Sequence, residues 1–398
     1  MSIKQNSMKN IRSVNWVTTL YLIISPFVAV AALTYWLMSG SFNWPTMILG
    51  LILMTFIQVS ITAGYHRLFS HRTYNAKWPV RLFFLIFGGA AFEGAALSWS
   101  LDHRVHHNHV DDNDKDPYSI GKGFFWAHMG WLLFKHNSAL TEQEKERGGD
   151  LMSDPLVVWQ YENWLPVGFF AGFVLPALIA LLWGDFFGGL FIAGVVRSVI
   201  NHHSTFLINS LSHCVGAQTY SDSHSARDNL FTAILTFGEG YHNYHHEFPS
   251  DYRNGVRLYD WDPSKWVIKG LSLVGMTYDL KKIPDEIILR KKTQMKEKRM
   301  KAKLSNSSFK FFGTTQEQIL EGLKEKYENA FKTIAKLRAE LKKYQKPTND
   351  EFKYDKTFVS LESNILKDRI DDAHNEFKKY VREWNSMRRQ VLSYARAS

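Results

Sequence analysis

The segment from Trp44 to His71, WPTMILGLILMTFIQVSITAGYHRLFSH, joins a long apolar stretch directly to two histidines. Residues 44–65 contain no charged side chain and are long enough to cross a bilayer as a helix. His66 and His71 follow at once, so imidazole side chains stand where a membrane helix ends. This combination predicts a membrane protein with its chemistry at the membrane surface.

Three more apolar stretches have the length of a membrane span, at about residues 14–38, 165–183 and 186–207. The short connectors at 39–43 and 184–185 contain no lysine or arginine. The N-terminal segment (Lys4, Lys9, Arg12), the middle of the chain and everything after residue 207 contain many. Because basic loops stay on the cytoplasmic side, the pattern predicts two membrane hairpins, with both termini and all large loops cytoplasmic.

Arg197 lies within the predicted fourth span. An arginine is expensive inside a bilayer, so it needs a polar partner in the interior of the helix bundle. The alternative is that its long side chain reaches the cytoplasmic headgroups.

The net charge of +10 is unevenly distributed along the chain. Residues 1–284 carry 21 basic and 21 acidic side chains, whereas residues 285–398 carry 27 and 17. The balanced first part argues against a nucleic-acid partner, which the whole-chain charge alone would suggest. We predict a membrane domain at 1–284, a basic linker at 285–313 that faces lipid, a partner or solvent, and a helical extension at 314–398.

Apolar residues recur every three or four positions in the extension, on both sides of a break at residues 346–350. This spacing predicts a helical hairpin or coiled coil. Packing, self-association and docking of a partner are all compatible with it.

Nine of the 16 histidines form an ordered pattern near the predicted cytoplasmic ends of the spans. They are His66 and His71 in HRLFSH, His103, His106 and His107 in HRVHH, His213 in NSLSH, and His242, His245 and His246 in HNYHH. The other seven are interpreted as ordinary surface or core residues: His109, His128, His136, His202, His203, His224 and His374.

The spacing of the nine favours metal binding. Positions i, i+3 and i+4 of a helix share one face, so each HxxHH motif presents three imidazoles to one place. His66 and His71 are about 140° apart on an α-helix and converge only if the helix bends or frays. Three imidazoles suffice for one ion and nine exceed what one ion can bind, so the count predicts two ions. Asn209, four residues before His213 on the same face, is a further candidate, directly or through water.

The available ligand types narrow the choice of metal. A single cysteine, Cys214, excludes a disulfide framework and any cysteine-ligated zinc or iron–sulfur site. Imidazole suits zinc, copper, iron and nickel. Two metals in an all-nitrogen site beside a membrane favour iron, although spacing alone does not select it.

These motifs resemble those of the membrane fatty-acid desaturases, and most closely the stearoyl-CoA (Δ9) branch. The resemblance covers about residues 10–282, with the blocks HRLFSHRTY, DHRVHHNHVDDNDKDPYS, GFFWAHMGWLL, NSLSHCVG and GEGYHNYHHEFPSDYRNG. The blocks YSDSHSARDN and YRNGVRLYDWDPSKW look like bacterial members in particular. It implies an all-α fold, with a cytoplasmic helical cap on a four-helix transmembrane stem and a dimetal site in the cap.

The resemblance also implies the parts of the site. Two Fe²⁺ ions would be held by the nine histidines, with Asn209 as a ligand through water and O2 as co-substrate. A narrow bent tunnel would hold the acyl chain, with Phe92, Thr205 and Phe206 on its wall. Phe206 stands where Trp is more usual, and Glu93 stands where animal members have Gln, so Glu93 is given no role.

Two local predictions concern the surroundings of the histidines. Metal-bound imidazoles usually donate their second N–H to a carboxylate or carbonyl, so some aspartates beside the second motif should accept such bonds. The candidates are Asp102, Asp111, Asp112, Asp114 and Asp116. Ser225 and Asp228 form a capping-box pattern for a helix that begins at about Leu230.

We therefore expect an O2-dependent desaturase that places a cis double bond, at Δ9, in a long-chain acyl-CoA or acyl-lipid. The sequence shows no HPGG haem motif, no ferredoxin cysteine set and no GxGxxG fingerprint, so an external ferredoxin, rubredoxin or cytochrome b5 with its reductase should supply electrons. The expected location is a bacterial inner membrane. A hydroxylase or ketolase on the same scaffold and a non-enzymatic histidine-rich metal-binding protein are the alternatives.

Overall fold

The computed structural model describes residues 13–134, 148–305, 315–345 and 356–397, which are mostly helical. The predicted all-α class is confirmed. Lys4, Lys9 and Arg12, the end of the predicted linker at 306–313 and the predicted break at 346–350 lie outside the described residues. Residue contacts divide the chain into two compact units, Met1–Lys282 and Ile283–Ser398.

The first unit contains long helices that continue through π-helical segments, and several short helices. The long ones are α1 (Trp16–Met38), α2 (Trp44–Val59, continued by π-helix Ser60–Ser70), α7 (Pro155–Phe169, π-helix Phe170–Val174, Leu175–Leu181) and α8 (Phe186–Leu190, π-helix Phe191–Val196, Arg197–Cys214). The others are α3 (Trp78–Gly89), α4 (Ala96–His109), α5 (Phe124–His128), α6 (Gly149–Met152), α9 (Leu230–Leu235), α10 (His242–Glu247) and α11 (Pro263–Leu273). Two strands, β1 (Asn75–Ala76) and β2 (Thr277–Tyr278), pair antiparallel.

Three helices in the described part of the chain are long and apolar enough to cross a membrane: Trp16–Met38, Trp44–Ser70 and Pro155–Leu181. They correspond to the first three predicted spans, although the third begins ten residues before its predicted start at 165. The predicted fourth span lies within α8, which is continuous but carries Arg197, Asn201 and three histidines. A membrane crossing by α8, and with it the four-helix stem, stays a prediction.

Arg197 points into the interior of the helix bundle. Its side chain is 3% exposed, and its guanidinium donates hydrogen bonds to the carbonyl oxygens of Ala193 (3.3 Å), Ala90 (3.1 Å) and Gly172 (2.9 Å). Of the two interpretations of this arginine, the structure supports interior burial with polar partners. The guanidinium thereby joins α8 to the end of α3 and to the π-helical segment of α7.

Close backbone contacts hold the end of α2 against α3. A Cβ atom on Gly64 would lie 2.6 Å from the Cβ of Phe84, and one on Gly88 would lie 2.3 Å from Cε1 of Tyr65. Only glycine permits this approach at either position. Gln160 of α7 adds polar bonds, since it donates to the Tyr65 hydroxyl (2.7 Å) and accepts from the first amide of α4 at Ala96 (3.0 Å).

The described part of the second unit contains three helices: α12 (Asp285–Ser305), α13 (Thr315–Gln345) and α14 (Lys356–Ala397). The predicted hairpin corresponds to α13 and α14, whose apolar faces pack on each other around Tyr327, Phe377 and Trp384. Self-association through these helices stays a prediction.

Residues 285–305 of the predicted basic linker form the helix α12. Met300 and Leu304 of this helix join the apolar cluster of the second unit. The many basic side chains of α12 hid its apolar residues in the sequence. One of these basic side chains, Arg290, pairs with Glu328 of α13 at 2.9 Å.

Candidate metal centre

All nine histidines predicted as ligands meet in two groups within the first unit. The first contains His66, His71, His103, His107 and His245, and the second contains His106, His213, His242 and His246. Within each group the candidate ligand atoms lie within 4.8 Å of one another. No other group of three or more such side chains occurs among the described residues.

The π-helix at the end of α2 makes His66 and His71 converge. Its amide-to-carbonyl bonds span five residues, and the His71 amide donates to the His66 carbonyl at 3.1 Å. Residues five apart therefore stand on the same side of the helix, which an α-helix would not allow. The predicted bend or fray is replaced by a regular change of helix type.

The second motif lies on α4, and Arg104 within it fixes α4 against the first motif. Its guanidinium donates to the carbonyls of Phe69 (2.7 Å) and Ser70 (3.0 Å) and pairs with Asp150 at 2.8 Å. The carbonyls at the end of a helix lack partners within it, and Arg104 supplies them. His103 and His107 of α4 then face the first group, and His106 faces the second.

The third motif forms the short helix α10, which holds the preceding loop. The Asn243 side chain accepts from the amide of Tyr220 (2.7 Å) and donates to the carbonyls of Ser221 (2.7 Å) and Ala226 (2.9 Å). Asp228 accepts from the amide of Tyr244 at 3.1 Å.

The predicted capping box at Ser225 and Asp228 is wrong, because both side chains bind elsewhere. Asn229 caps α9 by accepting from the Thr232 amide at 3.2 Å. Ser225 instead takes part in the support of a metal-group histidine.

Three imidazoles are supported from behind by acidic or hydroxyl side chains. His106 Nδ1 donates to Asp116 at 2.9 Å, and His213 Nδ1 donates to the Ser225 hydroxyl at 2.6 Å. The Ser225 hydroxyl in turn donates to Asp111. Asp111 and Asp116 thus take the supporting role predicted for some of the aspartates, while Asp112 and Asp114 make local turn contacts on the surface.

Glu239 supports the third imidazole and was missed by the sequence analysis. One carboxylate oxygen lies 2.7 Å from His66 Nδ1, and the other accepts from Arg67 at 2.9 Å. Arg67 also pairs with Asp262 at 3.0 Å, and all of these side chains are buried. Burial raises the pKa of the Glu239 carboxyl, but His66 and Arg67 outweigh it and hold the pKa below its ordinary value.

The Nε2 atoms in both groups point at one another. In the first group, His245 Nε2 lies 2.9 Å from both His66 Nε2 and His107 Nε2. In the second, His242 Nε2 lies 3.0 Å from His213 Nε2 and 3.1 Å from His246 Nε2. Nitrogen ligands placed about 2.0–2.1 Å from one metal ion lie roughly 3 Å apart, so these spacings fit a shared ion.

The protonation state of the histidines also fits a metal. Burial, together with the neighbouring histidines, lowers the pKa well below 6.5 for His103, His107, His242, His245 and His246. These imidazoles are therefore neutral at pH 7, the form that binds metal. Where Nδ1 carries the hydrogen, the lone pairs of facing Nε2 atoms repel, and a cation between them removes the repulsion.

A cavity of about 980 Å³ reaches the two groups. Its wall is mostly apolar, and it includes His66 and His103 of the first group and His242 of the second. The predicted tunnel residues Phe92, Thr205 and Phe206 all lie on this wall, and so does Asn209.

Glu93 is a polar exception on the cavity wall. It accepts a hydrogen bond from the Trp99 indole at 3.3 Å, and its Oε1 has no partner among the described residues. Burial raises the pKa of the Glu93 carboxyl to about 7. Trp99 in turn stacks on His103, with ring centroids 5.1 Å apart. The sequence analysis gave Glu93 no role. The signal that could have identified it is that Glu93 stands where animal members of the family have Gln.

Of the histidines predicted as bystanders, His136 lies outside the described residues. His202 Nε2 bonds the Ala91 carbonyl at 2.6 Å, and His128 bonds His203 at 3.1 Å. His109 and His374 also stand outside both groups. His224 differs from them, because its ring lies 5.2 Å from that of His246.

Comparison with known proteins gives a consistent result. The family model described as Fatty acid desaturase matches residues 42–261, more than half of the chain. The chain is 44% identical over 298 residues to "Probable acyl-CoA desaturase" of Schizosaccharomyces pombe, covering 74% of this chain and 61% of that protein. It is 45% identical over 246 residues to "Acyl-CoA desaturase 1" of Saccharomyces cerevisiae, covering 62% and 48%. It is 38% identical over 257 residues to "Delta(9)-fatty-acid desaturase fat-7" of Caenorhabditis elegans, covering 62% and 74%.

The matched part of the chain thus spans about half to three fifths of the two fungal relatives. The family predicted from the motifs is confirmed. The bacterial part of the resemblance gains no support, because these relatives are fungal and animal.

Proposed function

Because the chain belongs to the fatty acid desaturase family, we propose that it is an acyl-CoA desaturase that introduces a cis double bond, at Δ9, into a long acyl chain. The observation that carries this proposal is the cavity, which brings an apolar wall and the two histidine groups together. A hydrocarbon chain suits such a wall because its burial is favourable at roughly 25 cal/mol per Å².

The proposed cofactor is a pair of Fe²⁺ ions, one at each histidine group, with O2 as co-substrate. The first group offers five imidazoles and the second offers four, with Asn209 in reach of the same cavity. Bound iron would supply the oxidising power that an unactivated C–H bond requires. Overall, one O2, two electrons, two protons and two hydrogen atoms of adjacent carbons would give two water molecules and a cis double bond.

The contribution of the protein is positioning. Neighbouring methylenes are almost identical chemically, so the cavity wall must fix which carbons stand beside the histidine groups. Phe92, Thr205 and Phe206 form part of that wall, and Trp99, which also lies on it, stacks on His103. Glu239, Asp116 and Ser225 orient the imidazoles by accepting their Nδ1 hydrogens or lying against Nδ1.

The proposal includes an external electron donor of the ferredoxin, rubredoxin or cytochrome b5 type. With one cysteine and no HPGG motif, the sequence offers no evident carrier of its own. The three apolar helices and the family support a membrane location. The distribution of basic residues supports an orientation with the histidine groups on the cytoplasmic side.

The test is expression in a host that lacks its own Δ9 desaturase, followed by fatty-acid profiling by mass spectrometry. We expect a product two hydrogens lighter than the saturated chain, with the double bond at carbon 9. An oxygenated chain without loss of two hydrogens would favour a hydroxylase or ketolase. Absence of any product, with zinc alone bound, would favour a non-enzymatic metal-binding protein.

Two ligand variants and one matched control make the test specific to the centre. His106→Ala and His245→Ala each remove one imidazole, from the second and first group respectively, and should abolish product and reduce bound iron. His109→Ala alters a histidine that lies on α4 with His106 but belongs to neither group. This control should retain both product formation and bound iron. Normal product in either ligand variant would refute the assignment.

A further inference from the structure

His224 lies in the loop that Asn243 holds in place. The bonds from Asn243 reach residues on both sides of it, at Tyr220, Ser221 and Ala226, and Gln218 donates to the His224 carbonyl at 2.7 Å. The side chain of His224 is only 9% exposed. The loop therefore fixes a tenth histidine in the interior, next to the metal groups.

The ring of His224 stands at the distance that members of the second group keep from one another. Its centroid lies 5.2 Å from that of His246. Within the group, the centroid of His213 lies 5.3 Å from that of His246, and that of His106 lies 5.0 Å from it. The ring of His224 is therefore as close to that of His246 as the rings of two members of the group are.

Neither ring nitrogen of His224 has a hydrogen-bond partner among the described residues. Leaving a buried polar group without a partner is unfavourable, so such a group requires an explanation. None of the described residues holds the ring in its present orientation by a hydrogen bond. Turning a nitrogen inward would therefore break no such bond.

The two groups are also unequal in number. The first has five imidazoles and the second has four, and among the described residues the buried imidazole of His224 contacts a member of the second group. We propose that His224 is the fifth histidine of the second group and binds the metal ion held there. Its nitrogens are not part of the set within 4.8 Å of one another, so a change of side-chain rotamer accompanies binding. The inference rests on the proposed two-metal centre and not on the reaction.

The experiment compares the full-length wild-type chain with His224→Phe and His224→Gln, all loaded with ⁵⁷Fe²⁺ in detergent without oxygen. Bound iron per chain and the rate of its loss to a chelator are measured, and Mössbauer spectra are recorded. We expect His224→Phe to release one of its two irons at least about tenfold faster than wild type, and to change the spectrum of that iron alone. His224→Gln, whose amide oxygen is a weaker ligand, should fall between the two.

His109→Phe is the matched control, since it removes a nearby histidine outside both groups, and it should behave as wild type. Thermal unfolding of the iron-free proteins checks that the substitution itself leaves the fold intact. Where His224→Phe does not accumulate, His224→Gln is judged by the same measurements. Two irons with wild-type release rates and spectra in both variants would overturn the proposal. A wild-type chain that binds two irons but makes no desaturated product would instead refute the proposed function alone.

Discussion

The carboxylate of Glu239 allows a sharp test of how the first histidine group is supported. It touches His66 Nδ1 on one side and Arg67 on the other, whereas Asp262 pairs with the same arginine but contacts no histidine of either group in the described contacts. Both carboxylates are buried, at 3% and 0% exposure. Glu239→Gln and Asp262→Asn therefore remove the same kind of charge from the same arginine, and only the first changes the support of an imidazole.

The expected magnitudes differ accordingly. Each variant leaves Arg67 with one carboxylate, so each should lose roughly 2–3 kcal/mol of stability, less than the 3–5 kcal/mol for breaking a buried pair completely. Loss of a carboxylate behind a metal-binding imidazole typically costs 10- to 100-fold in metal affinity. We expect that additional loss, about 1.4–2.7 kcal/mol, in Glu239→Gln alone.

The assay is iron binding by competition with a chelator, together with thermal unfolding of the iron-free proteins. Similar unfolding temperatures with weaker iron binding only in Glu239→Gln would support the reasoning. Equal iron affinities in the two variants would refute it, because the effect of Glu239 would then act through stability and not through His66.

Three further outcomes follow from the structure. Arg197→Met should lower the thermal stability by about 3 kcal/mol or more, because two carbonyls outside its own helix lose a charged donor, and a variant as stable as wild type would contradict this. The KM of the wild type for its acyl substrate should rise as the pH passes about 7, where Glu93 changes from neutral to charged on the apolar cavity wall. Glu93→Gln should abolish that rise, and identical pH profiles would exclude Glu93 as the cause. Residues 283–398 expressed alone should be helical by circular dichroism. Trp384 is 1% exposed, so Trp384→Ala should lower the free energy of unfolding of that segment by about 3–5 kcal/mol. An unchanged melting curve would exclude Trp384 from its core.

The sequence was sufficient to predict the helical class, three apolar helices and the nine converging histidines. These features depend on composition and on spacing along one chain segment, which are visible without a structure. The relation of His66 to His71 was harder, because an α-helix is the default geometry and a π-helix leaves no simple sequence pattern.

The supporting groups depended on contacts between distant segments. Nothing near His66 indicates that Glu239 will stand behind it, and Ser225 has the pattern of a helix cap although it connects His213 to Asp111. In α12 the many charged side chains concealed the few apolar residues that pack in the cluster, such as Met300 and Leu304. Pairing of charges on a neighbouring helix cannot be read from one helix alone.

The bonding of Arg197 bears on the order in which the chain assembles. Its acceptors outside its own helix, the carbonyls of Ala90 and Gly172, belong to segments that the ribosome completes before residue 197 is added. These carbonyl oxygens are already part of the chain when Arg197 is added. Burial of its charge therefore requires no segment that follows α8. The guanidinium can thus fix α8 to earlier segments of the chain without any contact from the third histidine motif.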